Sequence, residues 1–323
     1  MAAKVVVQLR TEVSREARMA HLLAQMFVKP VVATWPMTSW GIRVANFLER
    51  ALLQRPAPRW ATVEPVLFDG FEAEWVRADN AADDGAVLYF HGGAFMVCGP
   101  GTHRPAVARI SRAGGLPALS VEYRQLPAAP LAGSVADCLT AYRWLLDEGY
   151  DPQRIVFAGD SAGGQLAFTT ALRAVAEGLP RPGGLVAISP WLDLDCETKL
   201  THPNSRRDAY APAKRLRPLV KLLVEDAAAV DPLLSPVNCD LSALPPALLI
   251  AAEGEMLRCD SELMAERLAA AGVPCVLQLW EGQMHAFPIM VGLFPEAGQA
   301  IREVGAFVRR RVAASVPSLR EAS

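Results

Sequence analysis

No stretch of about eighteen consecutive apolar residues occurs in this chain, so no helix is expected to span a membrane. Lys4 and Arg10 flank only Val5 to Leu9, which is too short for the apolar core of a secretory signal. The six cysteines, Cys98, Cys138, Cys196, Cys239, Cys259 and Cys275, include no C-x-x-C pair. Scattered thiols of this kind read as free side chains in a reducing compartment, and the expected location is cytoplasmic. A surplus of one charge is missing as well. Lys plus Arg total 32 and Asp plus Glu total 34, a formal charge of −2. That balance sets up no strong field for nucleic acid or for an anionic membrane. Neither G-x-G-x-x-G nor a Walker lysine is present, which removes the usual cradles for nucleotide phosphates. Nothing calls for a metal or an organic cofactor. No internal repeat or low-complexity block is visible.

What remains is apolar and regular. Hydrophobic residues make up 52% of 323 positions, enough to cover both faces of a sheet. A chain this long removes about three-quarters of its unfolded surface from water. Short apolar runs alternate with helical stretches. Ala86 to Phe90 is unbroken, and Leu119 to Glu122, Ile155 to Ala158, Leu185 to Ser189, Leu248 to Ala252 and Val276 to Trp280 read as further short strands. Such runs suit strands buried on both faces. Val63 to Phe68 and Glu72 to Arg77 read as a hairpin turning at Asp69-Gly70. Helices are expected over Ser134 to Glu148, Gly164 to Glu177, Asp260 or Ser261 to Ala271, and Pro295 to Ala314. This alternation predicts an α/β chain with a mostly parallel sheet between helical layers.

Residues 1–60 read as a helical prologue, with Met19, Leu22, Leu23, Met26 and Phe27 at helical spacing. Pro30 and Pro36 interrupt it before a second run from about Thr38 to Gln54. Its apolar residues, among them Trp35, Met37 and Trp40, suit packing on the main domain as a lid over an apolar site, with lipid contact as the alternative. Pro190 to about Asp231 reads as an irregular, partly helical insertion.

The chemistry centres on Gly159-Asp160-Ser161-Ala162-Gly163. This G-x-S-x-G run follows an apolar strand and opens a helix, the setting of a nucleophile elbow. A serine hydroxyl is a poor nucleophile at neutral pH and needs a base. Of the five histidines, His285 follows the last strand, so it shares the carboxyl edge with Ser161. The other reading of His285 is a surface-loop side chain. The acid belongs after the strand Leu248 to Ala252, where Glu253, Glu255 and Asp260 compete. Asp260 also suits an N-cap. Glu255 lies mid-loop, free to reach the imidazole, with Glu253 second. For a tetrahedral oxyanion, the N–H of Ala162 is one donor, and His91-Gly92-Gly93-Ala94 supplies others.

These residues resemble the hormone-sensitive lipase group of α/β-hydrolases, which includes many bacterial carboxylesterases. The likeness is carried by His91-Gly92-Gly93-Ala94-Phe95, Tyr123-Arg124, Asp151-Pro152, Gly159 to Gly164, Ser189-Pro190-Trp191-Leu192-Asp193-Leu194, Asp231 to Pro236 and His285-Ala286-Phe287. It spans roughly residues 60 to 314. The resemblance implies an α/β-hydrolase fold, an eight-stranded sheet flanked by helices, and a helical cap. Residues 1–55 and 194–225 would form the cap, and 56–193 with 226–323 the catalytic domain. It implies Ser161, Glu255 and His285 as triad and Gly93, Ala94 and Ala162 as oxyanion donors, with Gly92 shaping the loop. Phe95, Trp35, Met37 and Trp40 would line the substrate pocket. Ala94 stands where the family has a third glycine, and its methyl is expected to require an ordinary φ. Glu255 stands where the family usually has Asp.

The expected activity is serine carboxylesterase action on short- to medium-chain acyl esters. The rivals are a silent ligand-binding pseudohydrolase, an amidase, lactonase or carbamate hydrolase using the same triad, and an interfacial lipase. A homodimer could form if Val276 to Trp280 is a free sheet edge.

Overall fold

The computed structural model describes residues 5–224 and 230–314. One sheet organises it, with strands β1 (Val5–Arg10), β2 (Ala61–Leu67), β3 (Glu72–Ala78), β4 (Ala86–Phe90), β5 (Ala118–Glu122), β6 (Ile155–Asp160), β7 (Gly184–Ile188), β8 (Ala247–Ala252) and β9 (Cys275–Trp280). Their order is β1-β9-β8-β7-β6-β4-β5-β3-β2. The hairpin β2–β3 is antiparallel, β3 joins β5 antiparallel, and every other pairing is parallel. Every residue of β4, β6, β7 and β8 is buried. A parallel strand with helices on both faces has no solvent side, which is why these runs are apolar up to Asp160 at the end of β6.

Eleven α-helices accompany the sheet among the described residues: α1 (Arg15–Leu23), α2 (Lys29–Thr34), α3 (Ser39–Leu52), α4 (Pro100–Gly114), α5 (Leu131–Asp147), α6 (Ala162–Ala176), α7 (Glu197–Thr201), α8 (Asn204–Arg207), α9 (Leu216–Leu223), α10 (Arg258–Ala270) and α11 (Pro295–Ala314). Two-residue alternation along each strand divides the core. Leu88, Phe90, Phe157 and Leu249 belong to one apolar cluster with residues of α5, α6 and α10. Val87, Tyr89, Val156 and Ile250 belong to the other, with α4 and α11.

Several expectations are corrected here. The sheet has nine strands rather than eight, because Val5–Arg10 is a strand and not part of a helical cap. Val5-Val6-Val7 is a β-branched run, which favours extended backbone over helix. It pairs in parallel with β9, Val5 opposite Cys275 through Arg10 opposite Trp280. The last strand is therefore no free edge within this chain, since β1 flanks it on one side and β8 on the other. Pro30 does not end the first helix. It sits in the first turn of α2, directly after a π-helical segment, Ala24–Val28. Proline has no N–H to donate to Met26, and the widened turn absorbs that loss. Helix α4 was not among the sequence expectations; Pro100, Gly101, Pro105 and Gly114 disguise it. Helix α10 starts at Arg258, so Asp260 lies inside it rather than capping it.

Candidate active site

The loops that follow β4, β6, β8 and β9 meet at the carboxyl edge of the sheet, where open α/β sheets place their ligands. Ser161 caps the start of α6 with φ +53°, a left-handed value that a non-glycine residue rarely takes. The turn leaves no room beside it. A Cβ on Gly163 would lie 1.9 Å from the Phe90 carbonyl oxygen. The strain is held by Ser161 N–H donating to Ile188 O at 2.7 Å, and the same turn receives Trp191 N–H at Ser161 O.

The side chains then line up. Ser161 Oγ lies 2.8 Å from His285 Nε2. His285 Nδ1 lies 2.6 Å from Glu255 Oε2. Glu255 is 1% exposed, and its other oxygen accepts Ala252 N–H at 3.0 Å. Burial pulls the His285 imidazole down, but the hydrogen bond and charge of Glu255 outweigh it and hold it above its ordinary 6.5. Glu253 is turned elsewhere, pairing with Arg258 at 2.8 Å. Asp260 is also engaged elsewhere: it accepts Lys199 Nζ at 2.8 Å and the Leu192 and Asp193 amides at 2.8 and 3.1 Å. Of the three carboxylates the sequence left in competition, only Glu255 reaches His285 in this structure.

The glycine loop faces the elbow. The amides of Gly93, Ala94 and Ala162 donate to no acceptor among the described residues. Gly92 differs: its N–H donates to Asp160 Oδ1 at 3.0 Å, so it shapes the loop and has no proton left for an oxyanion. Ala94 and Phe95 have φ +56° and +58°. The methyl at position 94 therefore does not impose an ordinary φ; the loop forces the left-handed region on two successive side chains. Phe95, 1% exposed, lies 6.3 Å from the Trp191 ring. Met37 packs on the same cluster, and Trp35 is half-buried with its indole N–H on Gly41 O at 2.9 Å. Trp40 is 71% exposed, which removes it from any pocket wall.

The remaining histidines do other work. His91 stacks on Tyr123 at 4.4 Å, and burial pushes its pKa down to about 3. His103 faces Asp160 at 3.4 Å. His21 meets Gln25, and His202 accepts Asn204 N–H at 3.1 Å.

Sequence reasoning missed a layer of supports. Asp160, inside the elbow motif but given no role, accepts Tyr89 OH at 2.8 Å as well as Gly92 N–H, tying the nucleophile turn to the glycine loop. Ser189 Oγ accepts Ala286 N–H at 2.9 Å, fixing the backbone beside His285. The insertion grips both other loops. Asn204 Nδ2 donates to Glu253 O at 2.7 Å and Glu255 O at 3.0 Å. Fully buried Asp208 accepts Met256 N–H at 2.9 Å, next to Glu255, and the amides of Tyr210 and Ala211. Tyr210 OH donates to His285 O at 3.1 Å. Asp160 could have been found from its place beside Ser161. Asn204, Asp208 and Tyr210 lie in an irregular stretch with no periodicity to mark them.

Comparison with known proteins agrees with this geometry. Residues 87–289 match the family described by the α/β-hydrolase fold. The chain is 38% identical over 298 residues to "Esterase LipU" of Mycobacterium tuberculosis, covering 88% of this chain and 99% of that protein. It superposes with TM-score 0.86 on the crystal structure of EstE5 soaked with p-nitrophenyl butyrate, at 32% identity over 93% of this chain and all (100%) of the other. A second solved structure, an esterase from the bacterial hormone-sensitive lipase family, gives TM-score 0.83 at 31% identity, covering 93% of this chain and 99% of that one. A chain with this sheet order, this elbow and these relatives belongs to the α/β-hydrolases of the hormone-sensitive lipase group.

Proposed function

We propose that this protein is a serine carboxylesterase acting through an acyl-enzyme on short- to medium-chain esters. The reading rests above all on the hydrogen-bond chain from Ser161 through His285 to Glu255. Ser161 Oγ attacks the acyl carbonyl as its proton passes to His285 Nε2. Glu255 accepts Nδ1–H, which fixes the tautomer and stabilises the imidazolium. The carbonyl oxygen becomes an anion, and the uncommitted amides of Gly93, Ala94 and Ala162 receive it. Collapse breaks the ester C–O bond, and His285 gives its proton to the departing alkoxide. Water then attacks the acyl group, again losing its proton to His285; collapse breaks the acyl–Oγ bond, His285 returns the proton to Ser161 Oγ, and the carboxylic acid leaves.

The relatives support the ester: one is named an esterase, and another was soaked with p-nitrophenyl butyrate. The apolar residues Phe95 and Met37 on a common core support an acyl chain of limited length. Hydrolysis of p-nitrophenyl acyl esters of graded length tests the proposal. Wild type should turn over the shorter esters, and Ser161→Ala should lose on the order of 10⁵–10⁶-fold in kcat, as removal of a triad serine does. Equal rates from both proteins would refute it. Matched amides and lactones in the same panel separate the esterase from hydrolases that share the tetrahedral intermediate.

A further inference from the structure

Helix α1 is built the wrong way round for a helix that only packs on a domain. Along α1 and the π-helical segment that follows it, Ala17 and Ala24 are buried, whereas Arg15, Arg18, Met19, Leu22, Leu23 and Met26 all face solvent. Those six positions fall on one stripe at spacings of three and four. Helix α3 repeats the inversion. Gly41, Ile42 and Glu49 are buried, while Trp40, Arg43, Phe47 and Leu48 are exposed. The exposures are large: 62% for Phe27, 71% for Trp40 and 70% for Phe47. A lid would turn such side chains inward; here Ala17, Ala24, Gly41, Ile42 and Glu49 face the protein.

The charge of the same segment is lopsided. Residues 5–60 carry eight Lys or Arg and three Glu, in a chain whose net charge is −2. Arg15, Arg18 and Arg43 stand within the two apolar stripes and form no ion pair among the described residues. Arg206 and Arg207, likewise exposed and unpaired among those residues, are held against the same helices. Lys29 Nζ donates to Arg206 O at 3.1 Å, and Gln25 Nε2 to Arg207 O at 3.3 Å. Large apolar and aromatic side chains interleaved with unpaired arginines are the chemistry of a helix lying in a lipid headgroup layer. No helix among the described residues is long and apolar enough to cross a membrane, so the contact is with the surface.

We propose that the outer face of α1 to α3, with Arg206 and Arg207, docks this protein on an anionic phospholipid surface. The aromatic and aliphatic side chains enter the acyl boundary, and the arginines meet the phosphates. A second copy is a poorer occupant, because pairing this face with itself would set arginine against arginine. Docking is independent of the ester chemistry, so the Ser161→Ala protein should bind lipid as the wild type does.

Cosedimentation of the full chain with vesicles tests this, using phosphatidylcholine mixed with phosphatidylglycerol and phosphatidylcholine alone. Binding should require the anionic lipid and weaken with added salt. The pair Phe27→Ser with Met26→Ser, and separately Arg15→Gln with Arg18→Gln, should each cut partitioning about tenfold or more. Arg309→Gln with Arg310→Gln, an equal charge change at exposed positions of α11, should leave it unaltered. Thermal unfolding curves confirm that the variants are folded. Absence of binding to anionic vesicles would overturn the proposal. So would equal binding to neutral vesicles, or a wild-type dimer in light scattering that Phe27→Ser dissolves.

Discussion

The end of the sheet that carries Ser161 and the N-terminal helices use similar amino acids to opposite ends. Around Ser161 the side chains of Phe95, Trp191, Glu255 and His285 are buried, and Ser161, Ala94 and Phe95 hold left-handed backbone. In α1 and α3 Met19, Leu22, Leu23, Trp40, Phe47 and Leu48 point outward, while Ala17, Gly41, Ile42 and Glu49 face the protein. On the proposed readings, the first region excludes water around a developing charge, and the second meets a lipid surface. Between them runs the segment Asn204 to Tyr210, whose side chains clasp the loops carrying Glu255 and His285. Hydrophobicity alone does not separate the two regions; which face of each element carries it does.

That contrast can be broken at graded cost. The largest expected effect short of losing the nucleophile is at the acid. Glu255→Gln should lower kcat by roughly 10³–10⁴-fold by favouring the wrong imidazole tautomer. Glu253→Gln, on a side chain occupied by Arg258, should stay within about twofold. The pH profile follows from the same pair. Catalysis needs neutral His285, and Glu255 holds its pKa above 6.5, so the acid limb of kcat/KM in the wild type should lie above that pH. In Glu255→Gln the main raising partner is gone while burial remains, with Asp208 and Asp160 still raising the His285 pKa to a lesser degree, so the limb should move to lower pH. An unmoved limb would separate it from the His285–Glu255 bond.

Next comes the core. Leu249→Ala, at a fully buried position in β8, should cost about 2–5 kcal/mol in denaturant unfolding. Phe47→Ala, at an exposed position of similar apolarity, should stay within about 0.5 kcal/mol. Comparable losses would mean that the outward face of α3 is covered in solution. A milder loss of activity than at the acid is expected at the clasp. Asp208→Asn should lower kcat by about 10–100-fold with little change in KM, because it loosens the amide beside Glu255 without touching substrate. A change confined to KM would place Asp208 with substrate binding instead.

Much of the fold was legible because β4, β7 and β8 are continuous apolar runs and the loops with Ser161, Glu255 and His285 follow parallel strands. The order Ser161, Glu255, His285 could be read along the chain, and the sheet brings the three together. What could not be read was register and direction. Val5 to Arg10 looked like the start of a helical prologue, since nothing local says that β9 lies beside it to be paired. The periodicity of α1 and α3 was visible, but periodicity marks a face without saying whether it turns in or out. Gly92 and Gly93 are indistinguishable in sequence, yet the Asp160 carboxylate takes the proton of one and leaves the other free. The clasp residues Asn204 and Asp208 act through backbone amides far away in sequence, a relation that only the folded chain displays.

The central claim is that Ser161 is the residue that becomes acylated. Treating the protein with a fluorophosphonate and mapping the adduct by peptide mass spectrometry tests it most directly. The account predicts one adduct, on Ser161, abolished in Ser161→Ala and slowed in Glu255→Gln. A wild-type protein left unlabelled, or an adduct carried by another residue, would contradict it.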